Sequence, residues 1–303
     1  MAALFYYLVV FPLSLLPLRV LYIFANCIKW IFIYLIPYRK KVIQANLKHV
    51  FPDKSTEEIA LLTQAYYSFL ADLIVESVKN LQFSAFQLKQ HIQIESEKQL
   101  QEIQNLNKPI ILVSSHYNNW EWLISALGLW FKRPTYGIGM PLSAAFWDKK
   151  LTQKRERFGL KVVHQGNYES VFQSKHAVIL TLADQAPASS NKAYWTTFLG
   201  VQTPVIFGPE YLANRYDCAV VYADIKQSSR GHYIVSFEVI TEDASKNHFG
   251  DISELHLQKL SAAIAQNPSR WLWSHKRWKR SAPENLSAFQ AEAQARFEAR
   301  FRN

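Results

Sequence analysis

A short apolar strand followed directly by a helix is the pattern that most constrains the fold of this chain. Pro109–Ser115 is apolar and rich in β-branched residues, which is typical of a strand buried on both faces, and apolar residues recur at helical spacing from Trp120 to Leu129. On one continuous helix, His116 and Glu121 would point about 140° apart. The sequence therefore predicts His116 in the strand-to-helix turn and Glu121 in the first turn of the helix.

This pair has two interpretations. A carboxylate that accepts from one imidazole nitrogen fixes the tautomer and leaves the other nitrogen free to take a proton from an attacking hydroxyl, which is general base catalysis. The helix N-terminus would keep that carboxylate ionised. Alternatively, Asn118 and Glu121 have the spacing of a capping box, in which Glu121 only satisfies backbone amides.

The remaining pattern alternates strands with helices. The predicted strands after the central motif are Thr135–Gly139, Leu160–Val163, Ala177–Leu182, Cys218–Asp224 and His232–Ile240. Helical spacing occurs near residues 142–157, 168–174, 206–215, 251–266 and 284–300. This alternation predicts an α/β fold with a central, mostly parallel or mixed sheet flanked by helices. Functional groups are expected at one end of that sheet.

The first 37 residues predict a membrane anchor. Residues 3–37 are nearly all apolar, and the run before Pro17 would cover only about 22 Å as a helix, short of a hydrocarbon core of roughly 30 Å. The segment is therefore either one tilted span or a kinked segment lying in one leaflet. Six Lys or Arg and no acid in the first fifty residues predict that the rest of the chain lies in the cytoplasm.

Composition narrows the partners. A net charge of +10 and a pI near 9.4 favour an anionic partner, without choosing among nucleic acid, an acidic protein, a phosphorylated substrate and anionic lipid. Cys27 and Cys218 have no neighbouring Cys or His at ligand spacing, which argues against a disulfide framework and against a zinc site. Without a phosphate-binding glycine motif, a nucleotide cofactor is unsupported.

Three further groups are candidates for function. Arg155 and Arg157 either complement a helix end or provide planar forks for a phosphate or an oxyanion. The dipeptide Asp184-Gln185 follows a buried strand, where an Asp commonly forms a turn and active-site loops begin. The segment 271–280 mixes tryptophans with basic residues, a combination that suits either nucleic acid or a membrane interface; the apolar N-terminus favours the membrane.

His116-Tyr-Asn-Asn-Trp-Glu121 resembles the His-x4-Asp/Glu signature of glycerolipid-type acyltransferases, and the surrounding sequence resembles one branch, the bacterial lipid A (lauroyl/myristoyl) acyltransferases. The matching words occur in the family's order over most of residues 38–280. They are Asn46-Leu47, Phe51-Pro52, Arg155–Gly159, Ala183–Gln185, Phe198–Gly200 and Trp271–Lys279. Each word is weak alone, but the ordered set is specific.

The resemblance implies a glycerol-3-phosphate-acyltransferase-like fold and an enzyme of the bacterial inner membrane with its catalytic domain on the cytoplasmic side. Such an enzyme moves a fatty acyl chain from acyl carrier protein to a hydroxyl of a lipid A precursor. His116 would be the base, Glu121 would orient it, and no metal, cofactor, nucleic acid or acyl-enzyme is expected. The resemblance implies substrate-binding or site-shaping roles for Arg155, Arg157, Asp184, Gln185, Gly200 and Thr203.

The expected division is an anchor over residues 1–37 and one acyltransferase domain over 38–303. The domain would comprise a helical lead-in (38–105), a catalytic α/β core (106–280) and a peripheral C-terminal helix (281–303). The basic residues Lys276, Arg277, Lys279 and Arg280 are expected to meet an acidic carrier protein.

Two alternatives remain open. Within the same class of enzyme, the acceptor is another phospholipid, glycolipid or aminolipid, and the donor is acyl-CoA or acyl carrier protein. In a different class, the chain is a membrane-tethered basic binding protein without activity, which would bind nucleic acid or acidic lipid and convert no thioester.

Overall fold

A computed structural model describes residues 1–164, 166, 168–190 and 193–302 of the protein. Its helices are α1 (Ala2–Leu15), α2 (Leu18–Tyr34), α3 (Lys40–Val50), α4 (Thr56–Lys79), α5 (Ala85–His91), α6 (Glu97–Gln104), α7 (Trp120–Trp130), α8 (Ala145–Glu156), α9 (Gly208–Tyr216), α10 (Asp251–Gln266) and α11 (Leu286–Phe301). Its strands are β1 (Ile92–Ile94), β2 (Ile110–Ser114), β3 (Thr135–Gly139), β4 (Leu160–His164), β5 (Val178–Leu182), β6 (Tyr194–Phe198), β7 (Val201–Val205), β8 (Ala219–Ser229) and β9 (His232–Thr241).

Seven strands form one sheet in the order β1-β9-β8-β2-β5-β3-β4. Every neighbouring pair in it is parallel except the β8–β9 hairpin, so the predicted α/β fold with a mostly parallel, mixed sheet is confirmed. Strand β2 is buried along its whole length and lies between β8 and β5. Ser114 is paired with Leu182, and the chain segments that follow β2 and β5 therefore leave the sheet side by side.

Most elements that differ from the sequence prediction are short or local, but strand β8 continues past its predicted end at Asp224 to Ser229. Strand β1 has three residues, too few for a periodic signal, and the β6–β7 hairpin forms a separate two-stranded sheet. The predicted helix near residues 168–174 is a single 3₁₀ segment, Glu169–Gln173. Strand β3 has the predicted bounds.

The N-terminal segment is helical and kinked. Helix α1 ends at Leu15 and α2 begins at Leu18, because Leu16 is extended ahead of Pro17, a residue that restricts its predecessor and donates no backbone hydrogen bond. One face of α2 packs on α4, with Leu21 and Ala25 buried.

Helix α4 is the long helix of the core. Its N-terminus is closed by a capping box between Ser55 and Glu58, and its inner face buries Tyr66 and Phe69. Among the described residues it is the one helix that is both long and apolar enough to cross a membrane, but just over half of its apolar stretch is buried inside the protein. Burial of that kind is typical of a core helix.

Candidate active site

His116 lies in the turn between β2 and α7, as the sequence predicts, and Glu121 lies in the first turn of α7. Asn118 adopts a left-handed backbone conformation with φ of 52°, which lets the chain reverse into the helix. The turn is held from outside, because Leu272 donates its N–H to the carbonyl of His116 and Asn118 donates to the carbonyl of Arg270. The segment near residue 271 therefore fixes the backbone that carries the imidazole.

The imidazole of His116 is paired with Asp184. Its Nδ1 lies 2.8 Å from Asp184 Oδ1, and the Nε1–H of Trp271 donates to Oδ2 of the same carboxylate at 2.8 Å. Burial raises the pKa of Asp184, but the charge and hydrogen bond of His116 and the Trp271 bond outweigh that effect and hold this pKa well below its usual range. The Asp184 side chain is 1% exposed and that of His116 is 18% exposed, so the imidazole faces the solvent side of a buried anion.

Gln185 completes the surroundings of the ring. Its Nε2 amide lies 3.1 Å from Nε2 of His116. With the Nδ1 proton donated to Asp184, Nε2 is the basic nitrogen of the ring and accepts from this amide. A substrate hydroxyl that approaches Nε2 has to take the place of the Gln185 amide.

Glu121 does not make the predicted contact with His116. Its carboxylate binds Lys154 Nζ at 2.8 Å and Arg155 Nη2 at 2.5 Å. The ring of Trp120 packs on His116 with a centroid distance of 5.0 Å. Because the next helical residue is rotated by roughly 100°, Glu121 points toward α8 instead.

The capping-box alternative is also wrong. The residue that caps α7 is Asn119, whose side-chain oxygen accepts from the N–H of Trp122 at 2.9 Å. Glu121 is therefore a member of an ion cluster and neither of the two predicted arrangements describes it.

The cluster around Glu121 holds two cations against one carboxylate. Burial raises the pKa of Glu121, but the charges of Lys154 and Arg155 lower it by more than burial raises it. The net shift of this pKa is therefore strongly downward. The Lys154 side chain is 4% exposed, and it was missed by the sequence reasoning. The sequence gives little indication of this role, because a lysine next to Arg155 in a charged helix is usually a solvent-exposed residue.

The other predicted binding residues are distributed differently. Arg157 donates to the carbonyls of Asn80, Leu81 and Phe83, just beyond the end of α4, and so holds a helix end. The turn between β6 and β7 contains Gly200, which has a φ of 77°.

The hydroxyl of Thr203, in β7, accepts from the indole N–H of Trp278 at 2.8 Å. Phe198, at the end of β6, packs on Trp271 with a ring-centroid distance of 5.7 Å. These two residues join the β6–β7 hairpin to the segment 271–280, which in turn supports His116 and Asp184.

Two of the three tryptophans in the segment 271–280 do not fit the predicted membrane-interface belt. Trp271 and Trp273 are 2% and 0% exposed, so their rings are available neither to lipid headgroups nor to nucleic-acid bases. The Asn46 amide donates to the carbonyls of Trp273 and His275, both at 2.8 Å. Trp271 is a residue of the candidate site that the sequence reasoning had assigned to the membrane surface.

A third buried carboxylate supports the turn from the opposite side. Glu76 of α4 accepts from Asn119 Nδ2 at 2.6 Å, from the Tyr233 hydroxyl at 2.8 Å and from the Tyr22 hydroxyl at 2.7 Å. Burial is the main cause that raises the pKa of Glu76 to about 7. Through Tyr22 and Asn119, this group connects helix α2 to the cap of the helix that follows His116.

Comparison with known proteins adds the family. A family model described as bacterial lipid A biosynthesis acyltransferase matches residues 1–280. A search of curated proteins found no match. In the part of the chain that the structure describes, no three His, Cys, Asp or Glu side chains are grouped so that they could hold a metal ion.

Proposed function

The chain belongs to the bacterial lipid A biosynthesis acyltransferase family, and we propose that it transfers a fatty acyl chain from acyl carrier protein to a hydroxyl of a lipid A precursor. The family makes it an acyltransferase that acts on a lipid A-like substrate. The observation that carries the finer proposal is the His116–Asp184 pair, in which a partly exposed imidazole is hydrogen-bonded at 2.8 Å to a buried carboxylate.

In the proposed reaction, Nε2 of His116 takes the proton of the acceptor hydroxyl while the oxygen of that hydroxyl attacks the thioester carbonyl. The C–O bond forms, the tetrahedral intermediate collapses, and the C–S bond breaks. The imidazolium then returns its proton to the departing thiolate. Asp184 holds the ring through Nδ1 and stabilises the imidazolium. Because the acceptor oxygen attacks the thioester directly, the reaction does not require an acyl-enzyme.

The cluster of Glu121, Lys154 and Arg155 is proposed to bind an anionic part of the substrate. Its two cations exceed its one carboxylate, and the Arg155 side chain is 21% exposed, so its guanidinium can meet a second anion. Glu121 acts in this proposal as a positioning residue for Arg155. Arg157 is proposed to be structural, because backbone carbonyls occupy its guanidinium.

Membrane attachment is proposed to use the kinked N-terminal segment lying in one leaflet. Helix α2 has 17 residues, about 25 Å, and one of its faces is buried against α4, so lipid cannot surround it. The exposed large apolar residues of the N-terminal segment are Leu4, Phe5, Tyr7, Leu8, Val9, Phe11, Leu15, Ile23, Phe24, Trp30, Tyr34, Leu35 and Ile36. A surface with this many exposed apolar residues is typical of a membrane-binding face.

Carbonate washing tests the attachment. We expect the full-length protein to stay with the membrane pellet, since the apolar face supplies the affinity and does not depend on charge. Release of the whole protein into the wash would contradict the proposal.

The catalytic proposal is tested by incubating the purified protein with acyl carrier protein thioester and a lipid A precursor, and by measuring the product mass. We expect one added acyl chain with the wild-type protein and almost none with His116→Ala. An equal product yield from both proteins would reject His116 as the base. A product only with another lipid acceptor, or only with acyl-CoA, would replace the proposed substrates.

Docking of the carrier is proposed to use Lys276 and Lys279, which are exposed. Of the other two predicted docking residues, Arg277 is buried and Arg280 donates to the carbonyl of Ala188. Reversing both lysines to Glu should slow the carrier-dependent reaction more at low salt than at high salt, because salt screens exposed charges. Lys175→Glu, an exposed change elsewhere, is the control. If the reaction rates of the double Lys→Glu variant and of the control have the same salt dependence, the carrier does not dock on this segment.

A further inference from the structure

Arg277 is a buried cation that lacks a hydrogen-bond partner among the described residues. It is 1% exposed, and its Nε, Nη1 and Nη2 atoms make no hydrogen bond within the described part of the chain. A guanidinium has five N–H donors, and folding has removed all of them from water without replacing the lost bonds. Such a group lowers the stability of the fold unless hydrogen bonds to an anion compensate it, so its presence needs an explanation other than folding.

The neighbouring groups do not provide that anion. The guanidinium carbon lies 6.0 Å from the ring centroid of Phe198, a cation–π contact that accepts none of its N–H hydrogen bonds along their fork. Burial lowers the pKa values of His256 and His275 to about 4, and the charge of Arg277 contributes to both shifts, so both rings are neutral at physiological pH. The carboxylate whose field reaches Arg277 is that of Asp184.

Both oxygens of Asp184 already accept a hydrogen bond from another group. One of its oxygens binds Nδ1 of His116 and the other binds the indole N–H of Trp271, each at 2.8 Å. Burial lowers the pKa of Arg277 to about 10, which still leaves the guanidinium charged at neutral pH. The site next to the proposed catalytic pair therefore contains a charged guanidinium whose hydrogen-bond donors are left unused, although the charge of Asp184 acts on it.

We propose that Arg277 is the binding group for a phosphate-type oxyanion that a substrate brings to the site beside His116 and Asp184. This inference rests on the proposed function for the identity of the substrate, but not for the anion site itself. The planar fork of Arg277 matches two oxygens of such a group. Because the desolvation of the cation has already occurred during folding, an arriving anion gains the interaction without that cost.

A thermal-shift experiment tests the anion site with inorganic pyrophosphate as the probe. Arg277→Met removes the fork and keeps an unbranched side chain, while Arg300→Met removes an exposed arginine of α11 beyond the family match and serves as the matched control. Pyrophosphate, compared with sodium chloride at equal ionic strength, should raise the Tm of the wild type and of Arg300→Met but not of Arg277→Met. An equal rise in all three proteins would overturn the proposal.

The stability of the variant without probe separates a binding role from a structural one. If the guanidinium is uncompensated, Arg277→Met should have a Tm equal to or above that of the wild type, together with at least a tenfold lower kcat/KM. A Tm well below that of the wild type would mean that Arg277 is a structural group and would overturn the proposal. Arg277→Lys retains the charge without the fork, and it should bind pyrophosphate more weakly than the wild type does.

The source of the oxyanion is assigned by changing one substrate at a time. If the rate difference between wild type and Arg277→Met disappears with a dephosphorylated acceptor, the acceptor carries the group; if the difference stays, the donor carries it. A wild-type protein that shows the pyrophosphate shift but no acyl transfer would refute the proposed function and leave the anion site intact.

Discussion

Asp184 and Glu121 are both buried carboxylates close to the turn that follows β2, but they bind different kinds of partner. Asp184 binds an imidazole that is partly exposed, whereas Glu121 binds the side chains of a lysine and an arginine. We propose that the first pair passes a proton to and from a substrate and that the second is an electrostatic anchor. Burial of a carboxylate does not define its role; its partner does.

The largest effect should come from His116→Ala. Loss of a positioned general base usually lowers turnover about 10²–10⁴-fold. Because His116 is a partly exposed turn residue, the free energy of unfolding should change little. Turnover of the variant with acyl carrier protein thioester, beside urea unfolding, measures both. A fully active His116→Ala variant would mean that the Asp184–His116 pair has no catalytic role that sets Asp184 apart from Glu121.

Asp184→Asn should lower turnover within the same range, since an amide no longer fixes the ring with its proton on Nδ1. The two groups act as a unit, and adding Asp184→Asn to His116→Ala should therefore cost little further activity. Steady-state rates of the wild type, the two single variants and the double variant form the double-mutant cycle that measures this coupling. Additive losses would show that Asp184 acts independently of the imidazole.

Glu121→Gln should act mainly on stability. It leaves Lys154 and Arg155 without their buried counter-charge, which typically costs about 3–5 kcal/mol of unfolding free energy. Combining it with Lys154→Met removes one uncompensated cation and should recover part of that loss. A Glu121→Gln variant with normal urea unfolding would contradict the stabilising role of Glu121 in this cluster.

Glu76 extends the comparison to a buried carboxylate with neutral partners, and its effect should be the smallest of these. Its pKa is raised to about 7 in the folded state, so between its ordinary value near 4.5 and 7 the folded protein binds more protons than the unfolded one. Its stabilising contribution is therefore complete below pH 4.5 and is lost as pH rises through 7, by about 3 kcal/mol.

Glu76→Gln removes this titration. Relative to the wild type, the variant should gain unfolding free energy as pH rises from 4.5 to 7.5 in urea titrations. Parallel pH dependence of the two proteins would mean that Glu76 does not titrate in this window.

The local sequence determined much of the fold and part of the site. Apolar periodicity and turn residues were enough to predict strand β3, the alternation of strands and helices, and the positions of His116 and Glu121. The apolar run around Pro17 predicted either one tilted span or a kinked segment, and the structure has a kink at Leu16–Pro17. These features depend on residues a few positions apart, which constrain the backbone directly.

The tertiary structure decided which side chains meet. His116 and Asp184 are 68 positions apart and come together because β2 and β5 are neighbouring parallel strands, an order that spacing along the chain does not encode. Glu121 meets α8 because of its rotation about the axis of α7, and Trp271 is buried because the segment 271–280 closes over the turn. The sequence determined the local backbone and the types of reactive group, whereas long-range strand order and packing determined their partners, since burial and charge pairing depend on the whole fold.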